Sequence, residues 1–336
     1  MPSQLRKSVK IQKLARDLGL KHTSDPVADI INYCKRKVKR FLSDFVECDN
    51  LSDLLLFLAQ KSGTFFEEIH SDEDLERIRL KYLDRGEKYF VRLKEELSEE
   101  VFGITFRLTN REQWEIEFVS IIDCRGNKSP RAYFTKWHEL GHLLVLTDQM
   151  RLNFRRTYPP ADLKDPEEAI IDIIAGTFGF YDPLIKKCTE GEVSFDAIEN
   201  LRNQLCPDAS WQSSLIGIVK AWPTPCFLVH AKKALKRGER LCQQTFAFGT
   251  PVPALRAVKV TSNDSARDAG LIIFENMRIP SSSIISQAFN EGLDYAEREE
   301  NLSDWVTSDG SRLQNSNVRI KVRANDNSVD ALIIPI

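Results

Sequence analysis

The chain has 336 residues, of which 47 are Lys or Arg and 49 are Asp or Glu, giving a net charge of −2. That length suffices for two or three domains with a real core, and the charge balance provides no global basic field to attract nucleic acid. The seven cysteines include no C-x-x-C pair, which argues against a disulfide framework or a cysteine-zinc site and for a reducing compartment.

The N-terminus is basic (Arg6, Lys7, Lys10, Lys13, Arg16), but no apolar core of signal-peptide length follows and no run approaches a membrane span. A soluble, cytoplasmic protein without a membrane partner is expected. Residues 1–85 read as a helical N-terminal region. Asp25-Pro26 starts a helix whose apolar positions Val27, Ile30, Ile31, Cys34, Val38, Phe41 and Phe45 follow a 3.6-residue period. It carries the basic run Lys35-Arg36-Lys37-x-Lys39-Arg40, read as a solvated face in preference to a nucleic-acid contact. Ser71 begins a second helix with an acidic first turn, and a third is expected around Glu87 to Leu97.

The period then changes to two. Ile104, Phe106 and Leu108 alternate with Thr105, Arg107 and Thr109, and Trp114, Ile116 and Phe118 alternate with Glu115 and Glu117. These predict two strands of a small sheet whose edge can pair with an extended peptide.

Residues 138–142 read His-Glu-Leu-Gly-His. On a helix, positions i and i+4 share a face, so His138 and His142 can both aim a ring nitrogen at one ion, with Glu139 beside it. Such a helix serves zinc peptidases: the imidazoles hold Zn²⁺, and the carboxylate takes a proton from a water whose pKa the ion lowers. The alternative is an amphipathic helix with two half-buried, hydrogen-bonded histidines. Only three other histidines occur (His22, His70, His230), and Leu140, Leu143, Leu144 and Leu146 make the segment apolar, as suits the floor of a cleft.

A catalytic zinc needs a third protein ligand. Asp165-Pro166 opens a second apolar helix with Ile170, Ile171, Ile173, Ile174 and Phe178, and its polar exceptions Glu168 and Asp172 are four apart. Glu168 can bind the ion while Asp172 steadies a ligand histidine. Glu168 also stands where a glutamate closes a capping box on Asp165, a role that leaves Asp172 unexplained, and Glu167 is the alternative ligand. Tyr133, Tyr158 and His230 are candidates to stabilise an oxyanion.

Three short helices, Phe195 to Leu205, Trp211 to Val219 and Phe227 to Leu235, are expected within 191–244. They are compatible with a helix-turn-helix, but the second offers almost no Arg, Lys or Asn, so packing is preferred to DNA binding. Residues 245–336 read as a β-rich domain, with strands at Leu255–Thr261, Gly270–Arg278, Val318–Arg323 and Leu332–Ile336. In the third, Arg319, Lys321 and Arg323 face away from Val318, Ile320 and Val322, a pattern read as a solvated sheet face, with a docking surface as the alternative.

Arg131-x-x-Phe134-Thr135-x-x-His138-Glu139-Leu140-Gly141-His142 resembles the entry into the zinc helix of the ImmA/IrrE metallopeptidases, and Glu168, Asp172 and Ala175 fall where the second motif of that family would place them. The resemblance covers residues 100–182, is weaker over 190–240 and does not reach the first 80. One departure is Gly179-Phe180-Tyr181-Asp182-Pro183, where the family commonly has Leu-Met-Pro. The resemblance implies an α+β chain with a zincin-like core over 86–190, holding Zn²⁺ by His138, His142 and Glu168 with Glu139 as general base. It also implies limited proteolysis of a protein substrate, a helix-turn-helix repressor.

Overall fold

The computed structural model describes residues 5–20, 24–43, 49–112, 116–147, 153–157 (backbone), 165–236, 252–307 and 310–336. It is a mixed α and β protein whose chain divides into two compact units, Met1–Leu184 with Gln204–Ser210, and Ile185–Asn203 with Trp211–Ile336. In the first unit, α1 (Val9–Asp17), α2 (Pro26–Leu42) and α3 (Leu51–Lys61) come first. Asp25 caps α2 by accepting from the Ala28 amide at 3.2 Å, with Pro26 in the first turn, and Val27, Ile30, Cys34 and Val38 form its buried face.

Strand β1 (Thr64–Ile69) follows, then α4 (Asp72–Asp84), capped by Ser71, whose hydroxyl accepts from the Asp74 amide at 3.2 Å. The helix expected around Glu87 to Leu97 is a 3₁₀ turn, Lys88–Arg92, running into the single α turn α5 (Leu93–Glu96). The spacing that buries both Phe90 and Leu93 fits three residues per turn. Glu87 ties this segment to a later loop, its carboxylate accepting from the amides of Thr109 (2.7 Å) and Asn110 (2.8 Å).

Strands β2 (Val101–Arg107), β3 (Phe118–Asp123) and β4 (Asn153–Thr157) complete a four-stranded sheet of order β1-β3-β2-β4. β1 runs parallel to β3, and the other pairs are antiparallel. β1 was not expected, because Thr-Phe-Phe-Glu-Glu-Ile has neither period, yet it belongs to the same sheet as the strands before the HELGH helix. Residues 113–115 of the second expected strand lie outside the described residues. The strand found starts at Phe118 and is buried throughout, so it has no solvated face to alternate with. One sheet face packs Ile104, Phe106, Val119 and Ile121 against Leu75, Ile78 and Phe90. The other, with Gly103, Thr105 and Ser120, lies under α6 (Ala132–Leu144). The alternation at 104–106 therefore marks two buried faces, and the polar phase reaches solvent only beyond them, at the half-buried Arg107 and the exposed Thr109.

Helix α7 (Pro166–Gly179) packs against α6. Gly141 permits the approach: a Cβ there would meet Ile171 Cγ2 at 3.1 Å. Lys37 is not part of a solvated basic face. Its Nζ donates to the carbonyls of Leu143 (3.3 Å) and Leu144 (3.0 Å) at the end of α6, supplying partners to carbonyls that a helix leaves unpaired. Among the described residues no helix is long and apolar enough to cross a membrane.

Past α8 (Asp182–Cys188), the second unit holds α9 (Phe195–Leu205, to Asn203) and α10 (Trp211–Ala221). The third helix expected here is instead β5 (Phe227–Ala234), so 191–244 is not a three-helix module. Phe227, Val229 and Ala231 alternate into the core while Leu228 is buried on the opposite face. Hydrogen bonds to strands on both sides override the local helical reading. The sheet has order β6-β5-β9-β8-β7, all antiparallel, with β6 (Ala254–Ser262), β7 (Tyr295–Asn301), β8 (Asn317–Asn325) and β9 (Ser328–Pro335). After α11 (Asp264–Asp268), the strand expected at Gly270–Arg278 is irregular: it meets β6 at a bridge between Arg256 and Arg278 and by the Asn276 amide, which donates to the Ala257 carbonyl at 2.7 Å, and it packs Ile273 and Met277 into the core. Asn276 turns there with φ 66°. Helix α12 (Ile284–Glu291) and the charged edge strand β7 were not anticipated.

The basic stripe on β8 is not a solvated face either. Lys321 is buried, its Nζ donating to the Val193 carbonyl at 3.1 Å and pairing with Glu192 at 2.6 Å. Arg319 pairs with Glu192 at 2.9 Å, and Arg323 lies over the Trp211 ring at 4.9 Å. The stripe holds Glu192, Val193 and Trp211 of the same unit.

Candidate metal centre

Helix α6 is buried from Trp137 to Leu144. Its position is fixed at the N-terminal end by an ionic clamp. The Asp123 carboxylate, ending β3, accepts from Arg125 Nε (2.9 Å), Arg125 Nη2 (3.0 Å) and Lys128 Nζ (2.7 Å). Lys128 also donates to the carbonyls of Ser98 and Val101 at 2.8 and 2.9 Å. Burial pushes the Asp123 carboxyl up, but the hydrogen bonds from Arg125 and Lys128 outweigh it and hold the group below the ordinary carboxylate range. The 3₁₀ turn Gly126–Arg131 hangs from this clamp and feeds directly into α6.

One turn apart on the inner face of α6, His138 and His142 bring their Nε2 atoms to 3.2 Å. From α7, the Glu168 carboxylate reaches the same point, 3.0 Å from His138 Nε2 and 3.4 Å from His142 Nε2. Bonds of about 2.0–2.1 Å to a tetrahedral ion put ligand atoms roughly 3.3 Å apart. All three separations lie within a few tenths of that edge. The group His138, His142 and Glu168 can thus hold a metal ion.

His138 Nδ1 donates to Asp172 Oδ1 at 2.7 Å, which leaves the lone pair on Nε2 facing Glu168 and His142. Glu168 takes no part in a capping box. Asp165 caps α7 by accepting from the Glu167 amide at 2.9 Å, while Glu168 turns inward. Of the apolar residues of this helix, Ile170, Ile171, Ile174 and Phe178 are buried, and Ile173 is 38% exposed.

Glu139 is fully buried between α6 and the sheet. Its Oε2 accepts from the Thr105 hydroxyl at 2.7 Å. Strand β2 comes this close because residue 103 is glycine: a Cβ there would sit 2.7 Å from Thr135 Cγ2 and 3.0 Å from Glu139 Oε1. Neither Gly103 nor Thr105 was singled out from sequence. The signal, a threonine on the polar phase of β2, is readable only once that face is known to point inward.

Of the oxyanion candidates, Tyr133 is buried, donates its hydroxyl to the Gly179 carbonyl at 2.6 Å and packs beside Trp137 and Phe180, which makes it a packing residue. His230 belongs to the second unit, where its Nδ1 donates to Asp330 Oδ1 at 2.7 Å. Tyr158 lies outside the described residues.

A second group of metal-capable donors, Glu68, His70 and Cys124, gathers at the ends of β1 and β3. It is a poorer cage. The Lys136 ammonium already sits 2.7 Å from Glu68, and burial pushes the Cys124 thiol up to about 12, so both charge and protonation oppose a cation there. In comparisons with known proteins, no family matches this chain and no curated protein is similar to it in sequence.

Proposed function

We propose that the first unit is a zinc metallopeptidase with a zincin-like core, of ImmA/IrrE type. The observation that carries this reading is the convergence of two imidazoles and a carboxylate at 3.2, 3.0 and 3.4 Å beside the buried carboxylate of Glu139. His138, His142 and Glu168 would hold Zn²⁺, which supplies Lewis acidity and lowers the pKa of water. Asp172 orients the His138 ring. Glu139 takes the proton of the attacking water and passes it to the leaving amine. Strand β4 ends the sheet, so an extended substrate could add to it through backbone hydrogen bonds, independent of sequence.

Because such chemistry selects poorly among sequences, specificity must come from surfaces outside the metal site, and the second unit provides a large folded body for it. The substrate is accordingly a particular folded protein, with limited cleavage in place of digestion, and the resemblance to the ImmA/IrrE peptidases implies a DNA-binding repressor. The test is incubation of zinc-loaded protein with candidate repressors and with casein, with products mapped by mass spectrometry. A single cut in one repressor, lost in Glu139→Gln with zinc retained, is expected. Casein digestion at many sites would remove the regulatory reading and leave the zinc chemistry standing.

A further inference from the structure

Glu139 does not meet the sheet at an isolated hydroxyl. Thr105 Oγ1, which donates to Glu139 Oε2 at 2.7 Å, lies 2.7 Å from Ser120 Oγ, and Ser120 Oγ lies 3.1 Å from Thr64 Oγ1. Thr64 Oγ1 is also 3.4 Å from the Phe65 carbonyl, a longer and weaker alternative. The three residues belong to β2, β3 and β1. Ser120 is the register partner of Thr105, and Thr64 is diagonal to Ser120. The row therefore crosses three neighbouring strands, directly from β2 to β3 and diagonally from β3 to β1. Glu139 and all three hydroxyl residues are no more than 1% exposed.

Proton counting fixes the direction of the row. An ionised carboxylate only accepts, and each hydroxyl has one proton to give. Thr105 gives its proton to Glu139, so Ser120 must give its own to Thr105, and Thr64 donates to Ser120. Every proton points toward the carboxylate, and each bond polarises the next.

We infer that the buried hydroxyl row Thr64–Ser120–Thr105 is the positioning device of Glu139, with Thr105 fixing the carboxylate and Ser120 and Thr64 aiming the Thr105 proton at it. This rests on the metallopeptidase reading for its purpose, but not for its geometry. These are positioning residues; none reaches the donors of the metal group. A carboxylate on a two-methylene stem needs such a hold, because misplacement by about 1 Å can cost on the order of a hundredfold in rate.

The experiment compares Thr105→Val, Thr105→Ser and Ser120→Ala with the unaltered chain. The first readout is the Glu139 carboxylate position in crystals of metal-free protein. The second is turnover of a pool of internally quenched peptides by zinc-loaded protein. Thr105→Val should displace the carboxylate and lower kcat by about a hundredfold, with KM, zinc content and thermal stability little changed. Thr105→Ser should restore both, and Ser120→Ala should show a smaller loss. An unmoved carboxylate in Thr105→Val, or a loss that Thr105→Ser shares in step with falling thermal stability, would overturn the inference. If the unaltered chain cleaves no peptide, the metallopeptidase reading fails, and the carboxylate position still decides the positioning role.

Discussion

Each unit holds a histidine whose Nδ1 donates to an aspartate at 2.7 Å: His138 to Asp172 in the first, His230 to Asp330 in the second. The pairs are alike in geometry and unlike in what meets the other ring nitrogen. His138 is buried, and its Nε2 faces Glu168 and His142. His230 sits opposite Asp330 in the β5–β9 register, about a quarter exposed, and no group of three metal-capable donors forms around it among the described residues. A His–Asp pair orients a ring in both places. Only where that orientation aims the free nitrogen at further donors does it serve an ion.

The sharpest way to break this comparison is to remove the two rings. His138→Ala should abolish stoichiometric metal binding, and His230→Ala should leave it intact, as measured by metal analysis after dialysis. Next in size is the contrast between adjacent glutamates. Glu168→Ala should lower metal affinity sharply and Glu167→Ala mildly, since only Glu168 reaches the histidine nitrogens; a reversed order in competition titrations would move the ligand by one residue.

Asp172→Asn should weaken metal binding by about 10–100-fold, the usual cost of losing the group that orients a ligand histidine. Asp330→Asn should not change it. The smallest expected effect at the site comes from the clamp below it. Asp123→Asn should leave the ligands in place but cost about 3–5 kcal/mol of stability by leaving the buried Lys128 ammonium without a counter-charge, read by denaturant unfolding. Because the folded carboxyl is held below its unfolded range, its contribution is fully present above about pH 4 and fades as pH falls through the folded value. Unfolding free energies of the Asn variant and the unaltered chain should therefore converge in acid.

Much of the site was legible because its spacing is local. The i, i+4 pairs His138/His142 and Glu168/Asp172 depend only on helix geometry, and each falls within one helix of the structure. What joins them is not local. The polar phase of β2 reads as solvent-facing until α6 is known to cover it, so Gly103 and Thr105 gave no sign of their roles. The same reason hid the tasks of Lys37, Lys321 and Arg319, which read as solvated charge and are spent on helix ends and docked segments. Phe227–Ala234 misled in the opposite sense, since its apolar start, Phe227–Val229, is buried on both faces and looks alike as helix or strand until its partners are known.

The most direct test of the metal centre is elemental analysis of the purified chain and its His142→Ala variant after zinc loading and exhaustive dialysis. One zinc per chain, absent from the variant, is the predicted result. Equal zinc in both, or none in either, would contradict a site built from His138, His142 and Glu168.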